Sequence, residues 1–432
     1  MTRGLIVAGV RSGSGKTTVA LGLMRALARR GVAVQPFKCG PDYIDPAFHA
    51  VATGRPSFNL DGWAMAPALI ADLVAGHPAD IAIAEGVMGL FDGVGGRAAT
   101  ADLASVLRWP VVLVLDVKGQ TETAAAIAAG CAAYREDVTI AGVILNRVAG
   151  ARHLSLIEPA FGRGGLKLFG ALGEDERLTL PERHLGLVQA AETADLEGRL
   201  DALADAIAAS VDLAAIEASA GATLLSAAME AMPIAPPGQR IALASDCTFS
   251  FMYPHLLEQW RTAGAEIRPF SPLADEAPAV DADVVWLPGG YPELHAGKLA
   301  AAGRFRKGLC DLAARAVSIH GECGGYMVLG DGIVDAAGER HAMAGLLRLE
   351  TSFAARRLHL GYRRARLRSD CALGRQGTEI LGHEFHYASI VTAGDEPLVD
   401  CRDAYGKPVA EAGTRRSSVS GTFFHVISMR SP

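Results

Sequence analysis

Residues Val7–Thr18 read Val-Ala-Gly-Val-Arg-Ser-Gly-Ser-Gly-Lys-Thr-Thr. The apolar run Leu5–Val10 enters a Gly/Ser turn, and the turn opens an amphipathic pattern that continues to Arg30 and stops at Gly31. Strand, glycine loop and helix in that order are what a phosphate-binding loop needs, because the helix N-terminus presents free N–H groups to an anion. Gly13, Ser14, Gly15, Lys16, Thr17 and Thr18 are the candidate nucleotide ligands. Lys16 suits the terminal phosphates of ATP, and the Thr17 hydroxyl suits Mg²⁺. The usual glycine five residues before Gly15 is replaced by Val10, with Gly9 one place earlier.

Working outward, Val32–Phe37, Ile81–Ala84, Val111–Asp116 and Ile140–Leu145 read as further buried strands, with helical patterns at Pro67–Val74 and Thr121–Tyr134. Strands alternating with helices imply a doubly wound α/β domain with a parallel sheet, whose ligands sit at the carboxyl ends of the strands. Polar residues gather there in Lys38–Asp45 and Glu85–Gly93. From Ala214 to Gly238 the sequence turns Ala/Ser/Met-rich and ends in a Pro-rich stretch, which reads as a linker with a helical first part. The expected division is therefore a synthetase domain over 1–213, a linker over 214–238 and a second α/β domain over 239–432.

The second domain shows strands at Ile241–Ser245, Glu266–Pro269, Val284–Leu287 and Ala316–His320, and helices at Tyr253–Ala263 and Lys298–Arg315. Its informative stretch is His320-Gly-Glu-Cys323-Gly-Gly-Tyr326. A nucleophile type on a glycine-bracketed strand-to-helix turn has the form of a nucleophile elbow, with Cys323 as nucleophile and the Gly324 N–H as an oxyanion donor. A helix start there would lower the thiol pKa. Gly290, in the turn Pro288-Gly-Gly-Tyr291, is a second candidate oxyanion donor. Among twelve histidines, His425 is the best-placed base, since it lies late in the chain beside apolar strand residues. His383-Glu-Phe-His386 invites a metal reading, but in a strand residues three apart face opposite sides. The run Arg356–Arg368 reads as a solvated face or as a counter-charge for an acidic ligand.

The 432 residues are 50% hydrophobic, enough for two cores, and a net charge of −6 gives no general reason to bind nucleic acid or an anionic membrane. Seven scattered cysteines without a Cys-x-x-Cys pair argue against a disulfide framework or a zinc site. The apolar stretch before the glycine loop is too short for a signal peptide, so a cytoplasmic location is expected.

With both motif sets in view, the chain resembles the cobyrinic acid and hydrogenobyrinic acid a,c-diamide synthases from end to end. Matching segments include Lys38–His49, Glu85–Gly93, Gly142–Val148, Leu180–Val188, Leu287–His295, His320–Tyr326, Leu358–Arg363 and Gly382–Tyr387. The displaced-glycine loop is similar to the one this family shares with dethiobiotin synthetase. The resemblance implies ATP-, Mg²⁺- and glutamine-dependent amidation of the a- and c-carboxylates of a corrinoid polycarboxylic acid in cobalamin biosynthesis, by a P-loop synthetase domain joined to a flavodoxin-like class I glutamine amidotransferase domain. It implies that Asp45 and Glu85 join Thr17 near the metal, that Asn146 contacts the base, and that Asp42, Tyr43 and Asp92 meet the corrinoid. Cys323 and His425 match the amidotransferase nucleophile and base. The usual third member, a Glu two residues after that His, is Ile427 here, so another group must orient His425. Homologous folds of this kind often dimerise, which makes a homodimer the expected assembly. Rival readings are a cobyric acid synthase-type amidase, or a P-loop switch ATPase with an inert amidotransferase-like domain.

Overall fold

A computed structural model describes residues 2–175, 182–183, 186–223, 234–410 and 412–430. Residues 180–181 and 184–185 of the expected family segment Leu180–Val188, and residues 224–233 of the expected linker, lie outside the described residues. The chain divides into two units, Met1–Met232 and Pro233–Pro432.

The first unit is built on β1 (Arg3–Gly9), β2 (Val34–Cys39), β3 (Phe58–Leu60), β4 (Ile81–Glu85), β5 (Val111–Asp116), β6 (Ile140–Val148) and β7 (Leu168–Gly173). These pair in the order β3-β2-β4-β1-β5-β6-β7, and every pairing along that path is parallel. Such strands read as continuous apolar runs because both faces are covered. Leu5, Ile6, Val7 and Ala8 have no exposure at all. The connection after β1 runs to one edge of the sheet and the connection after β4 crosses β1 towards the other. The carboxyl end of β1 is therefore the switch point where ligands bind in such sheets. There the chain turns through Gly13 (φ 75°) and Gly15 (φ 88°) into α1 (Lys16–Arg29).

The stretch read as the start of a linker contains a helix, Leu213–Ser219, and a two-residue strand, Gly221–Ala222, that pairs antiparallel with β1. Just after it, the Thr223 hydroxyl accepts a hydrogen bond from Trp109 Nε1 at 2.9 Å. Strands β3 and β7, and the helices Asp45–Thr53, Thr100–Leu107, Ala151–Arg163 and Leu196–Ser210, were not anticipated in the sequence.

In the second unit, strands Glu266–Phe270, Arg240–Ala244, Val284–Leu287, Ser318–Glu322 and Val419–Thr422 lie side by side in that order and run parallel. Thr414–Arg416 and Glu396–Pro397 extend the sheet antiparallel. A separate antiparallel sheet orders Val399–Asp403, His359–Leu367, Glu379–His386 and Phe424–Arg430. The chain passes from the first sheet to the second at Phe423, which is fully buried against Tyr326 and His386.

Two expectations need correction here. The single helix expected over Lys298–Arg315 is two, Ala296–Ala301 and Gly303–Ala314, because Ala302 leaves helical geometry with ψ 79°. The strand expected over Ala316–His320 is Ser318–Glu322, since Ala316 occupies a turn with φ 59°. No helix among the described residues is long and apolar enough to cross a membrane.

Gly4 sits in β1 directly against the Trp109 indole, and a Cβ there would collide with the ring. Gly4→Ala is expected to destabilise the protein by about 1–3 kcal/mol through overpacking. Urea denaturation followed by tryptophan fluorescence measures it.

Candidate active sites

In the first unit the loop closes on itself. The Ser14 hydroxyl and Lys16 Nζ both donate to the Arg11 carbonyl, at 2.9 and 3.1 Å. A side chain at Gly9 would strike Ser14 and approach Lys16, so glycine at that position permits the tight turn. Asn146, at the carboxyl end of β6, donates from Nδ2 to the Ser14 carbonyl at 3.1 Å and packs where a Gly15 Cβ would stand. Asp116 accepts from Arg11 and from Arg147, each at 2.8 Å. Thr18 follows in the first turn of α1, with partial exposure.

Beside the loop lies a buried charge cluster. The Thr17 hydroxyl donates to Glu85 Oε1 at 2.5 Å. Lys38 Nζ lies 3.1 Å from Glu85 Oε1 and 2.5 Å from Asp45 Oδ2. His49 Nε2 meets Glu85 Oε2 at 2.7 Å, while its Nδ1 meets the Ser57 hydroxyl at 3.1 Å.

Burial opposes ionisation of Glu85, but Lys38, His49 and Thr17 outweigh it and hold the carboxyl well below its usual range. Burial also opposes the Lys38 charge, and Asp45, Glu85 and Asp42 more than restore it. Asp45 is pushed up to about 8, by burial first and then by Asp42. Lys16 is pushed down by burial and by Lys38. Of the expected metal group, Thr17 and Glu85 meet directly and Asp45 is joined to Glu85 through Lys38, and all three offer oxygen, the donor type Mg²⁺ takes. Lys38 stands between its two carboxylates.

Of the positions expected at the corrinoid, Asp42 uses Oδ1 to accept from the Ile44 and Asp45 N–H groups at 2.8 and 3.1 Å, which caps helix Asp45–Thr53. Exposed Asp92 accepts from the Gly89 N–H at 2.9 Å. Tyr43 is buried, with 7% exposure. Lys38 and His49 were missed as site residues. Their signal was present, because both lie in the singled-out segment after β2.

In the second unit, Cys323 stands between strand Ser318–Glu322 and helix Gly324–Leu329 with φ 47° and ψ −104°. That is a strained backbone for a residue with a Cβ. The Cys323 N–H donates to the Thr422 carbonyl at 2.7 Å, and the Gly325 N–H donates to the Pro288 carbonyl at 3.1 Å. Each turn glycine admits a neighbour. A Cβ on Gly289 would stand 2.9 Å from His425 Nε2 and 3.1 Å from Cys323 Cβ, and one on Gly324 would stand 3.1 Å from the Gly290 nitrogen. The fold therefore brings together Cys323, His425, Gly290 and Gly324.

The thiol differs from its sequence expectation. Burial and Glu293 push it up, and the Gly324 N–H opposes them only in part. The following helix has just six residues, too short for a strong terminal field. Burial and His383 push His425 down to about 3, against the Phe251 backbone group. Glu322, 1% exposed, accepts from the Val426 N–H at 2.8 Å and lies 3.8 Å from His425 Nδ1. Burial pushes this carboxyl up to about 8.

The His383–His386 segment is the expected strand. His386 stacks on His359 and shares Glu384 with it, while Arg363 holds the other Glu384 oxygen at 2.6 Å; His383 instead packs edge-on against Tyr362. The basic run is divided by the pleat: Arg363 is buried, whereas Arg364, Arg366 and Arg368 face outward.

Residues 5–188 match the model of a CobQ/CobB/MinD/ParA nucleotide binding domain, and residues 240–432 that of a CobB/CobQ-like glutamine amidotransferase domain. The chain is 57% identical to the hydrogenobyrinate a,c-diamide synthase of Rhodobacter capsulatus, over 99% of both chains. It is 55% identical to that of Mesorhizobium japonicum and 52% to that of Agrobacterium fabrum, again over 99% of both chains in each case.

Two outcomes follow from the charge geometry. Glu85→Gln removes one of the two carboxylates around Lys38 and the one that faces His49, and is expected to cost about 3 kcal/mol of stability in a denaturant titration. For Glu322 the folded pKa, about 8, lies above the ordinary 4.5. Its protonated-state stabilisation is complete below the ordinary value and is lost as pH rises through about 8. The melting temperature should fall from about pH 5 to pH 8 and level off above it, and Glu322→Gln should flatten that fall.

Proposed function

We propose, for a chain that belongs to the hydrogenobyrinate a,c-diamide synthase family, that its substrate is the cobalt-free corrinoid hydrogenobyrinate, amidated at the a- and c-carboxylates. Membership makes it an ATP-binding, glutamine-dependent amide-forming ligase of cobalamin biosynthesis. What supports the cobalt-free substrate is that relatives 52–57% identical over 99% of both chains are hydrogenobyrinate a,c-diamide synthases, and what supports the reaction is a phosphate loop beside a Lys/Asp/Glu cluster in the same chain as a cysteine elbow with an adjacent histidine.

A carboxylate does not react with ammonia in water, because its hydroxide is a poor leaving group. Transfer of the ATP γ-phosphoryl group to a carboxylate oxygen gives an acyl phosphate. Ammonia then attacks the acyl carbon and inorganic phosphate leaves. Phosphoryl transfer needs position and charge neutralisation more than covalent help. In this reading the loop N–H groups from Gly13 to Thr18 cradle the phosphates, Lys16 holds the terminal one, and Lys38 adds a second cation where the acyl phosphate forms. Asn146 borders the nucleotide at the place expected for a contact to the base, with its Nδ2 on the Ser14 carbonyl. Thr17, Asp45 and Glu85 would hold Mg²⁺, which neutralises phosphate charge when bound. Asp42 and Asp92 organise the two loops that flank the corrinoid, with Tyr43 between the Asp42 cap and the helix it starts.

The nitrogen comes from glutamine. Cys323 Sγ attacks the side-chain amide carbon as His425 takes the thiol proton. That proton passes to the leaving nitrogen, ammonia departs, and water hydrolyses the thioester to glutamate. The N–H groups of Gly290 and Gly324 receive the developing oxyanion.

Mass spectrometry of the product from hydrogenobyrinate, ATP, Mg²⁺ and glutamine tests the substrate. A gain of two amides is expected, and turnover of the cobalt-containing acid alone overturns the assignment. The two halves of the reaction should separate by mutation. Cys323→Ala is expected to lower glutamine-dependent amidation by about 10³-fold or more while free ammonia still supports it. Lys16→Ala should abolish amidation from either nitrogen source. Parallel assays of corrinoid mass and ADP distinguish the two.

A further inference from the structure

The glutaminase site lacks an acid at the position after its histidine where one is usual, and the fold shows why none could act from there. Ile427 lies at a break in register: Gly382 pairs with Val426, but Leu381 pairs with Ser428. Ile427 is fully buried, and its carbonyl is held by His255 Nε2 at 2.8 Å. Strand alternation is lost at such a bulge, so a side chain there does not share the His425 face.

A carboxyl reaches the ring from another element. Glu322 closes the parallel strand Ser318–Glu322, one residue before the nucleophile, and its Oε2 lies 3.8 Å from His425 Nδ1. Its Oε1 is fixed by the Val426 N–H, so the carboxyl is anchored to the residue that follows the histidine. The opposite edge of the ring, Cε1 and Nε2, faces Gly289 together with Cys323 Cβ. Both side chains are shut off from water, with 1% and 0% exposure.

We propose that Glu322 is the positioning residue of this glutaminase site, replacing the usual acid after the histidine: its carboxyl, 3.8 Å from His425 Nδ1, biases the ring proton to that nitrogen and so keeps Nε2 free to take the Cys323 proton. The inference rests on the glutaminase reading above. A carboxyl oxygen accepts from Nδ1–H in either protonation state, and the imidazolium that forms as the thiol is deprotonated draws the carboxyl to its ionised form. The Phe251 backbone group also favours the charged ring, but no side-chain substitution removes it. The strand that carries the nucleophile thus also carries the carboxyl that orients its base. The two are tied through one hydrogen bond to Val426.

Two substitutions separate orientation from mere packing. Glu322→Gln keeps the shape and an acceptor for Val426 but cannot ionise. Glu322→Asp keeps an ionisable carboxyl and loses one methylene. A positioning role predicts that kcat for glutamine hydrolysis by the full chain falls roughly 10²-fold in Glu322→Gln with KM changed less than about twofold. It also predicts that Glu322→Asp turns over faster than Glu322→Gln. A packing role reverses that ranking, because Gln is the closer isostere. Glu322→Gln turnover equal to or above that of Glu322→Asp, or a loss carried wholly by KM, overturns the inference. Failure of the wild type to hydrolyse glutamine, or hydrolysis that survives Cys323→Ala, would overturn the glutaminase reading instead.

Discussion

The Glu85 carboxylate has no contact with solvent, and the first unit is arranged around that fact. An unpaired carboxylate at such depth would cost several kcal/mol, so it must either protonate or find partners. It finds three. Thr17 comes from the first turn after the glycine loop, Lys38 from the end of β2 and His49 from the helix that follows. Each partner fixes one element against β4. The pairing of β2 with β4 places Lys38 beside Glu85 in register, and shifting that pairing by one residue would turn Lys38 to the opposite face.

This cluster carries charge that is nearly balanced before any ligand arrives. Lys38 answers Glu85 and shares itself with Asp45, whose carboxyl is left high. Lys16, pushed down by burial and by Lys38, is the cation with the least compensation. In the proposed reaction an incoming triphosphate would supply what Lys16 lacks, and a divalent cation would supply what the Asp45 and Glu85 pair lacks once Lys38 turns to the acyl phosphate.

What could be read from the sequence was what is local in the chain. The loop announces itself because strand, glycines, Lys16 and helix are consecutive, and the elbow does so because Cys323 is bracketed by Gly321, Gly324 and Gly325. The strands of the parallel sheets were legible from apolar runs, although their ends drifted by one to three residues where a strand continued into polar functional positions, as in Ile140–Val148. Lys38 and His49 stayed hidden as members of the cluster because their role depends on strand register and on the docking of a helix, and neither is written in local pattern. Glu322 stayed hidden for a different reason. The sequence shows that the acid after His425 is absent and that another group must orient the ring, but which group depends on tertiary structure, and the fold places a carboxyl there from the strand in front of the nucleophile. The antiparallel sheet was missed because its strand His359–Leu367 mixes buried and arginine positions. Only the pleat shows that Arg363 faces inward to Glu384 while Arg364, Arg366 and Arg368 do not.

The same burial that makes the elbow possible sets how it must work. A thiol pushed up by its surroundings and a histidine pushed down by them form an uncharged pair at rest. A standing thiolate would need a strong terminal field, and a helix of six residues does not provide one. In the proposed glutaminase reaction, deprotonation becomes favourable as the attacked amide develops an oxyanion against the Gly290 and Gly324 N–H groups, so that negative charge moves off sulfur as it appears. Proton transfer and carbon–sulfur bond formation are coupled by this arrangement. The imidazolium that results is buried, and its stability depends on whatever acid stands at its far nitrogen. In this unit that place is occupied by the carboxyl of Glu322, whose hydrogen bond from Val426 keeps it there whether or not the ring is charged.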